Sequence, residues 1–178
     1  ESIVDAARRS AAVIKQPYVL YVGRFAAQKR HDLLLDAWCK VSLPHTLVLL
    51  TPPDPRLDSM IKARNLSNRV IVAGFQENPY PWMAAADLLV LCSDHEGLPN
   101  VLIESLLCGT PVVSTDCPSG PREILAALPE CLVPCGDPNA LSIAIARCLN
   151  HPPDISRIDL RRYSVSTIAA AYERLGSN

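Results

Sequence analysis

Residues 87–113 read Asp87-Leu-Leu-Val-Leu-Cys-Ser-Asp-His-Glu-Gly-Leu-Pro-Asn-Val-Leu-Ile-Glu-Ser-Leu-Leu-Cys-Gly-Thr-Pro-Val-Val113, and their order decides the fold. Leu88–Leu91 is apolar at consecutive positions, as a strand buried on both faces must be. A polar loop with Gly97 and Pro99 follows, then a helix expected over Val101–Cys108 and stopped by Gly109, then a second apolar run, Pro111–Val113. That is strand, crossover helix and parallel strand. The same beat runs outward in both directions. Tyr18–Val22, Thr46–Leu50 and Val70–Val72 precede it and Cys131–Val133 follows. Helical periodicity is expected between them over His31–Val41, Arg56–Asn65, Pro81–Ala86, Arg122–Leu128 and Asn139–Asn150. In the first of these, Asp32, Asp36 and Lys40 form the wet stripe, with an Asp36–Lys40 pair, and Leu34, Leu35, Trp38 and Val41 face inward. Six strands joined by crossover helices predict an α/β fold: a Rossmann-like, doubly wound parallel sheet with helices on both faces.

Composition agrees with one such domain. The chain has 178 residues, 49% hydrophobic and 20% charged, and a net charge of −1, which leaves no basic footprint for nucleic acid. No apolar run reaches the ~18 residues of a membrane span, so no transmembrane segment is expected. The 16 prolines punctuate: Pro17, Pro111 and Pro134 flank strands, and Pro99, Pro121 and Pro138 sit where helices begin. Cys39, Cys92, Cys108 and Cys148 lie in apolar surroundings that suit buried, reduced thiols and a cytoplasmic location. Cys131 and Cys135 lack partners at zinc spacing, and no metal is expected. One domain over residues 1–150 is expected to be followed by a tail, 151–178, whose last helix is expected over Ser164–Leu175.

Ligands of open α/β sheets bind at the carboxyl ends of strands, so the loops there hold the candidates. After the first strand, Gly23-Arg-Phe-Ala-Ala-Gln-Lys-Arg30 is neither a dinucleotide fingerprint nor a P-loop. Its cations Arg24 and Lys29 suit either a diphosphate or a solvated turn. After the fourth strand, the backbone N–H groups near Leu98 to Val101 are expected to open a helix N-terminus, an anion site. Glu96 precedes that helix and Glu104 lies one turn inside it. They are placed to accept hydroxyls on either side of a phosphate, or to be a loop charge and a solvent-facing helix residue. Phe75 follows Gly74 in a loop whose backbone could meet a flat base or form an ordinary turn. His31, His45 and His151 read as surface or cap residues, and Glu123 as a first-turn charge on its helix.

Three phrases carry a resemblance: VGRFAAQKRHDLLLDAW, then VIVAGFQENPYPWMAAADLLVLCSDHEGLPNVLIESLLCGTPVVSTDCPSGPREIL, then LVPCGDPNALSIAI. Over about Tyr18–Leu149 the chain resembles the C-terminal, donor-binding half of retaining glycosyltransferases of the GT-B fold, family 4 (group 1). The resemblance implies that Arg24 and Lys29 grip the donor diphosphate, that Glu96 touches the transferred sugar and that Glu104 holds the ribose hydroxyls. It assigns Gly23, Phe75 and the Gly97, Leu98, Pro99, Asn100 and Val101 segment to donor binding. It implies a nucleotide diphosphate sugar as donor, UDP-linked, and no cofactor. The acceptor would be a glycan or lipid-linked and would bind an N-terminal domain absent from this sequence. The fragment would then be inactive alone, and the full-length enzyme would associate peripherally with the inner face of the membrane. A non-catalytic nucleotide-sugar module, or half of a GT-B epimerase, is the alternative. Two positions depart from the family pattern. Thr51-Pro-Pro stands where glycines are common, and Arg30 follows Lys29 in place of the frequent glycine.

Overall fold

The computed structural model describes residue 14 and residues 16–163; the helix expected over Ser164–Leu175 lies outside them. Six strands form one parallel sheet: β1 (Tyr18–Val22), β2 (Thr46–Leu50), β3 (Val70–Val72), β4 (Leu88–Leu91), β5 (Val112–Thr115) and β6 (Leu132–Val133). Their order is β3-β2-β1-β4-β5-β6. Helices α1 (His31–Trp38), α2 (Pro55–Ala63), α3 (Tyr80–Ala85), α4 (Asn100–Leu107), α5 (Pro121–Ile124) and α6 (Pro138–Asn150) connect or follow them. The direction of winding reverses between β1 and β4. The loops leaving those two neighbours diverge there and open a crevice at the carboxyl edge of the sheet.

The apolar runs are strands because both faces of the sheet are covered. Val19, Leu20, Tyr21, Leu47, Val48, Leu49, Leu88 and Leu89 are all fully buried, with Leu34, Leu35 and Trp38 of α1 packed in the same core. In register, Val19 stands beside both Leu47 and Leu88, so β1 is the central strand of the apolar layer.

Several expectations need correction. Helix α1 stops at Trp38, so Lys40 falls in the turn beyond it and Asp36 pairs instead with Arg64 Nε at 2.7 Å. The fifth strand begins at Val112, because Pro111 has no N–H to donate, and extends through Ser114 and Thr115, which pair with Leu132 and Val133. The helix expected over Arg122–Leu128 shrinks to the single turn of α5. Pro129 follows closely and disfavours helical backbone just before it. Cys39 caps α1 on the exposed side, whereas Cys92, Cys108 and Cys148 are buried as expected. Beyond residue 150 the chain stays attached: Ile158 is buried in the core, and short 3-10 turns cover Ile155–Arg157 and Leu160–Tyr163.

Candidate functional site

The crevice is built from the loops after β1 and β4. The first runs from Gly23 through a 3-10 turn, Ala27–Lys29, to Arg30, the residue that caps α1. Gly23 N–H donates to Leu50 C=O at 3.3 Å, and a side chain there would press on the Tyr21 hydroxyl, 3.0 Å from the Cβ position. Thr51 is fully buried, and its hydroxyl donates to Gly23 C=O at 2.8 Å. The Thr51-Pro-Pro departure therefore supplies a clamp on the first loop.

The second loop is tied to the first at several points. Asp94 N–H donates to Gln28 C=O at 2.8 Å, and the Cys92 thiol lies 3.2 Å from Lys29 C=O. Lys29 Nζ donates to Glu96 Oε1 at 2.6 Å, and the same oxygen accepts from the Ser93 hydroxyl at 2.6 Å. Thr115 at the end of β5 in turn donates to Ser93 C=O at 2.6 Å. Two of the expected catalytic residues, Lys29 and Glu96, thus form an ion pair with side chains 18% and 11% exposed. Arg24 stands apart, exposed and without a hydrogen-bond or ion-pair partner among the described residues.

At the α4 N-terminus the expected open amides are partly present. Asn100 N–H is taken by Leu98 C=O at 2.9 Å, and Pro99 has no N–H. The N–H groups of Gly97, Leu98 and Val101 donate to no acceptor among the described residues. No side chain caps α4, and no acidic residue stands in its first turn. Gly97 itself has an ordinary backbone with open space at its Cβ position. The glycine this region requires is Gly120, at φ +90, where a Cβ would lie 2.3 Å from Pro99 Cδ and 2.8 Å from Gly97 C=O. The loop after β5 therefore buttresses the α4 start by backbone contact. Glu104 is half-buried with no hydrogen-bond or ion-pair partner among the described residues, and burial raises its pKa. It is therefore more than the solvent-facing residue of the simpler expectation.

His31 also departs from expectation. It is 2% exposed beneath the first loop, edge-on to Tyr21 and Phe25 with ring centroids 4.7 and 5.1 Å away. Burial lowers its pKa to about 4, so the imidazole is neutral. Its Nε2 is 3.4 Å from Thr51 Oγ1, while Nδ1 and the Tyr21 hydroxyl are buried without partners. Burial first, and then the neighbouring Cys92 and Glu96 groups, push the Tyr21 phenol up. Phe75 is 76% exposed on its loop after β3, a bare ring at the same edge of the sheet. Glu123 is exposed in α5, as a first-turn charge would be. An open depression of about 860 Å³ lies on the β1 side, lined among others by Phe25, Arg30, His31, Arg56 and His95. Its lining includes none of Arg24, Lys29, Glu96 and Glu104, so the chemistry is placed beside it rather than inside it.

The family model for glycosyl transferases group 1 matches residues 16–151, most of the chain and all six strands. The chain belongs to the group 1 glycosyltransferases. Among curated relatives, a Campylobacter jejuni N-acetylgalactosamine-N,N'-diacetylbacillosaminyl-diphospho-undecaprenol 4-alpha-N-acetylgalactosaminyltransferase is 40% identical over 113 residues, 62% of this chain and 31% of the relative. The lipopolysaccharide core biosynthesis glycosyltransferase LpsE of Rhizobium meliloti is 38% identical over 102 residues, 56% of this chain and 29% of its own. Among solved structures, Anabaena HepE in complex with UDP and glucose superposes with a TM-score of 0.79 at 25% identity, covering 98% of this chain and 52% of HepE. Sucrose-phosphate synthase from Thermosynechococcus elongatus gives 0.75 at 28%, covering 99% and 49%. The chain therefore spans about a third of these curated relatives and about half of the structural neighbours, which are GT-B glycosyltransferases.

In this group 1 domain, residue-by-residue reading located the loops but missed much of what supports them. Ser93, Thr115 and Thr51 reach the site through single hydroxyls, and Gly120 through a backbone approach. Ser and Thr at strand ends are too common to stand out. The consecutive Ser119-Gly120 pair before Pro121 was the one signal available, since both residues have positive φ. Among the described residues no helix is long and apolar enough to cross a membrane.

Proposed function

We propose that this chain is the donor-binding, C-terminal half of a retaining glycosyltransferase acting in the synthesis of a surface polysaccharide or lipopolysaccharide. Its substrate would be a nucleotide diphosphate sugar, UDP-linked. The observation that supports it most is the half-buried, unpartnered Glu104 carboxylate one turn inside an uncapped helix. A buried charge without a partner is costly, and hydroxyl donors of a ribose would relieve it while the phosphates meet the free amides of Gly97, Leu98 and Val101. Exposed Phe75 offers a ring on the same edge for a base. The UDP bound by HepE supports the choice of nucleotide.

As the sugar leaves, negative charge grows on the departing phosphate oxygen. Lys29 and the α4 amides are held positive groups, Arg24 is an exposed one beside them, and together they stabilise that charge; no cofactor is invoked. Lys29 is held on Glu96 before the donor arrives, so its ammonium is pre-positioned and shared between the carboxylate and the incoming diphosphate. Glu96, held also by Ser93, keeps its second oxygen available for a sugar hydroxyl. The acceptor, a glycan or a lipid-linked saccharide, would bind a second domain. The polypeptide by itself would bind donor without turnover.

Calorimetry with UDP, GDP and ADP tests the site. UDP is expected to bind best, with the affinity lowered about tenfold or more by Arg24→Ala or Glu104→Ala. Glu104→Gln should also raise thermal stability slightly, since it removes an unpaired half-buried charge. Glu96→Gln should spare UDP and weaken only UDP-sugar. Equal UDP binding by Arg24→Ala and the parent would sink the assignment, and sugar transfer by this polypeptide alone would sink the claim of inactivity.

A further inference from the structure

Arg30 occupies a backbone conformation that favours glycine, φ 48 and ψ 51, between the 3-10 turn and α1. A long side chain at such a position raises the question of what the side chain does there. Its guanidinium is forked between two carboxylates. Nε and Nη2 meet Asp32 at 3.0 and 2.9 Å, and Nη1 meets Asp94 Oδ1 at 2.9 Å. Asp32 lies two residues away, but Asp94 lies 64 residues away on the loop after β4. A planar group with several donors in a fixed fork holds both at once and fixes their relative orientation, which a freely rotating ammonium does less well.

The position of this fork matters more than its strength. The neighbouring residue is Lys29, whose ammonium rests on Glu96, two residues beyond Asp94. Segment 28–30 therefore meets segment 92–96 by Asp94 N–H to Gln28 C=O, by the Cys92 thiol to Lys29 and Arg30 C=O, and by the Arg30–Asp94 and Lys29–Glu96 pairs. Arg64 makes a comparable long-range pair with Asp36, 28 residues away and 24% exposed, but it joins α1 to α2 and not the two crevice loops. Arg56–Asp54, by contrast, joins residues two apart with an arginine side chain 77% exposed, against 28% for Arg30.

We propose that Arg30 is a positioning residue: it ties the loop after β1 to the loop after β4 and so holds Lys29 on Glu96, ready for the diphosphate. The proposal rests on the donor-site reading of Lys29 and Glu96. Glycine at this position relieves the backbone but leaves the crevice untied. The chain has accepted a left-handed arginine, and the side chain returns a fixed geometry at the switch point.

Two measurements on the chain test it. The first needs no ligand: in Arg30→Gly, hydrogen exchange at the Asp94 amide should quicken about tenfold while β1 and β4 strand amides keep their protection. The second is UDP calorimetry on Arg30→Gly, Lys29→Met and the double variant. Each single change should raise Kd about tenfold, and Arg30→Gly should add nothing once Lys29 is gone, because it acts through Lys29. A purely structural staple would give additive losses instead. Unchanged exchange at Asp94 overturns the tie, and a full further loss in the Lys29→Met background overturns its action through Lys29. A parent chain with no measurable UDP binding defeats the donor-site reading, and the exchange result then stands or falls as the test of the tie.

Discussion

Helices α4 and α6 both start at a proline at the carboxyl edge of the sheet, and the two starts are finished differently. Asp137 caps α6, its Oδ1 accepting from Asn139 N–H and Ala140 N–H at 2.9 Å, and Pro138 takes the first helical position. Asp54 does the same for α2, accepting from Arg56 N–H at 2.8 Å. At α4 the capping position is Pro99, which has no side-chain oxygen, and three amides around it stay open. Helix α1, across the switch point, also lacks a side-chain cap and is supported from beneath by the buried ring of His31. Capping recovers about 1 kcal/mol per helix, so the chain could have closed α4 with a single Asp or Ser. The two helices flanking the crevice forgo it. The short helices α3 and α5 also lack a side-chain cap, so what sets α4 apart from α2 and α6 is Pro99, which offers no side-chain oxygen where Asp54 and Asp137 do.

The comparison can be broken most forcefully at Gly120. Gly120→Ala drives a methyl group into Pro99 and the Gly97 carbonyl at a φ of +90. It should cost about 3 kcal/mol in urea denaturation, and the displaced α4 start should lose UDP binding in the fraction that folds. A loss under 1 kcal/mol would show, on the usual scale for exposed sites, that the buttress is slack.

The support under α1 has a pH signature. His31 titrates at about 4 in the fold against 6.5 in the unfolded chain. The unfolded chain therefore takes up the proton first as pH falls. Stability is full above pH 6.5 and is lost toward pH 4, by roughly 3 kcal/mol over that window. Urea midpoints at pH 7 and pH 4 should converge between the parent and His31→Asn, because the parent alone carries this part of the loss. Parallel pH dependences in the two proteins would refute the buried neutral imidazole.

Smaller effects sharpen the contrast between the two proline starts. Pro99→Asp installs at α4 the cap that α6 has, and its carboxylate competes for the open amides. UDP affinity should fall about tenfold without loss of melting temperature. Asp137→Ala should do the reverse, costing about 1 kcal/mol of stability and leaving UDP affinity unchanged. If both changes weaken UDP binding equally, the two helix starts are not functionally distinct.

Much of the fold was legible because its signals are local. A double-faced strand must be apolar at every position, and the first four runs, Tyr18–Val22 to Leu88–Leu91, match the observed strands residue for residue. Pro and Gly then mark the loops, and Gly109 at φ +84 ends α4 as its place in the sequence predicts. Two errors come from prolines at element ends, Pro111 and Pro129, and two from a distant residue that overrides a local pattern. The stripe of Asp32, Asp36 and Lys40 predicts a pair within one helix, but Arg64 from α2 reaches Asp36 first. His31 in a run of charged residues reads as surface, yet the loops after β1 and β2 close over it.

The site divides along the same line. Arg24, Lys29, Glu96 and Glu104 stand out as candidates from the chain, through their place at or near the ends of strands and through the family resemblance. That Lys29 and Glu96 share a hydrogen bond does not, since they lie 67 residues apart and meet only because β1 and β4 are neighbours in the sheet. The same adjacency joins Arg30 to Asp94 and turns a left-handed arginine, in sequence a mere departure from glycine, into a tie across the crevice. Periodicity and turn chemistry act over a few residues and can be read from one strand of text. Ion pairs, buried rings and backbone buttresses depend on which strands stand side by side, and that is settled by packing the whole sheet at once.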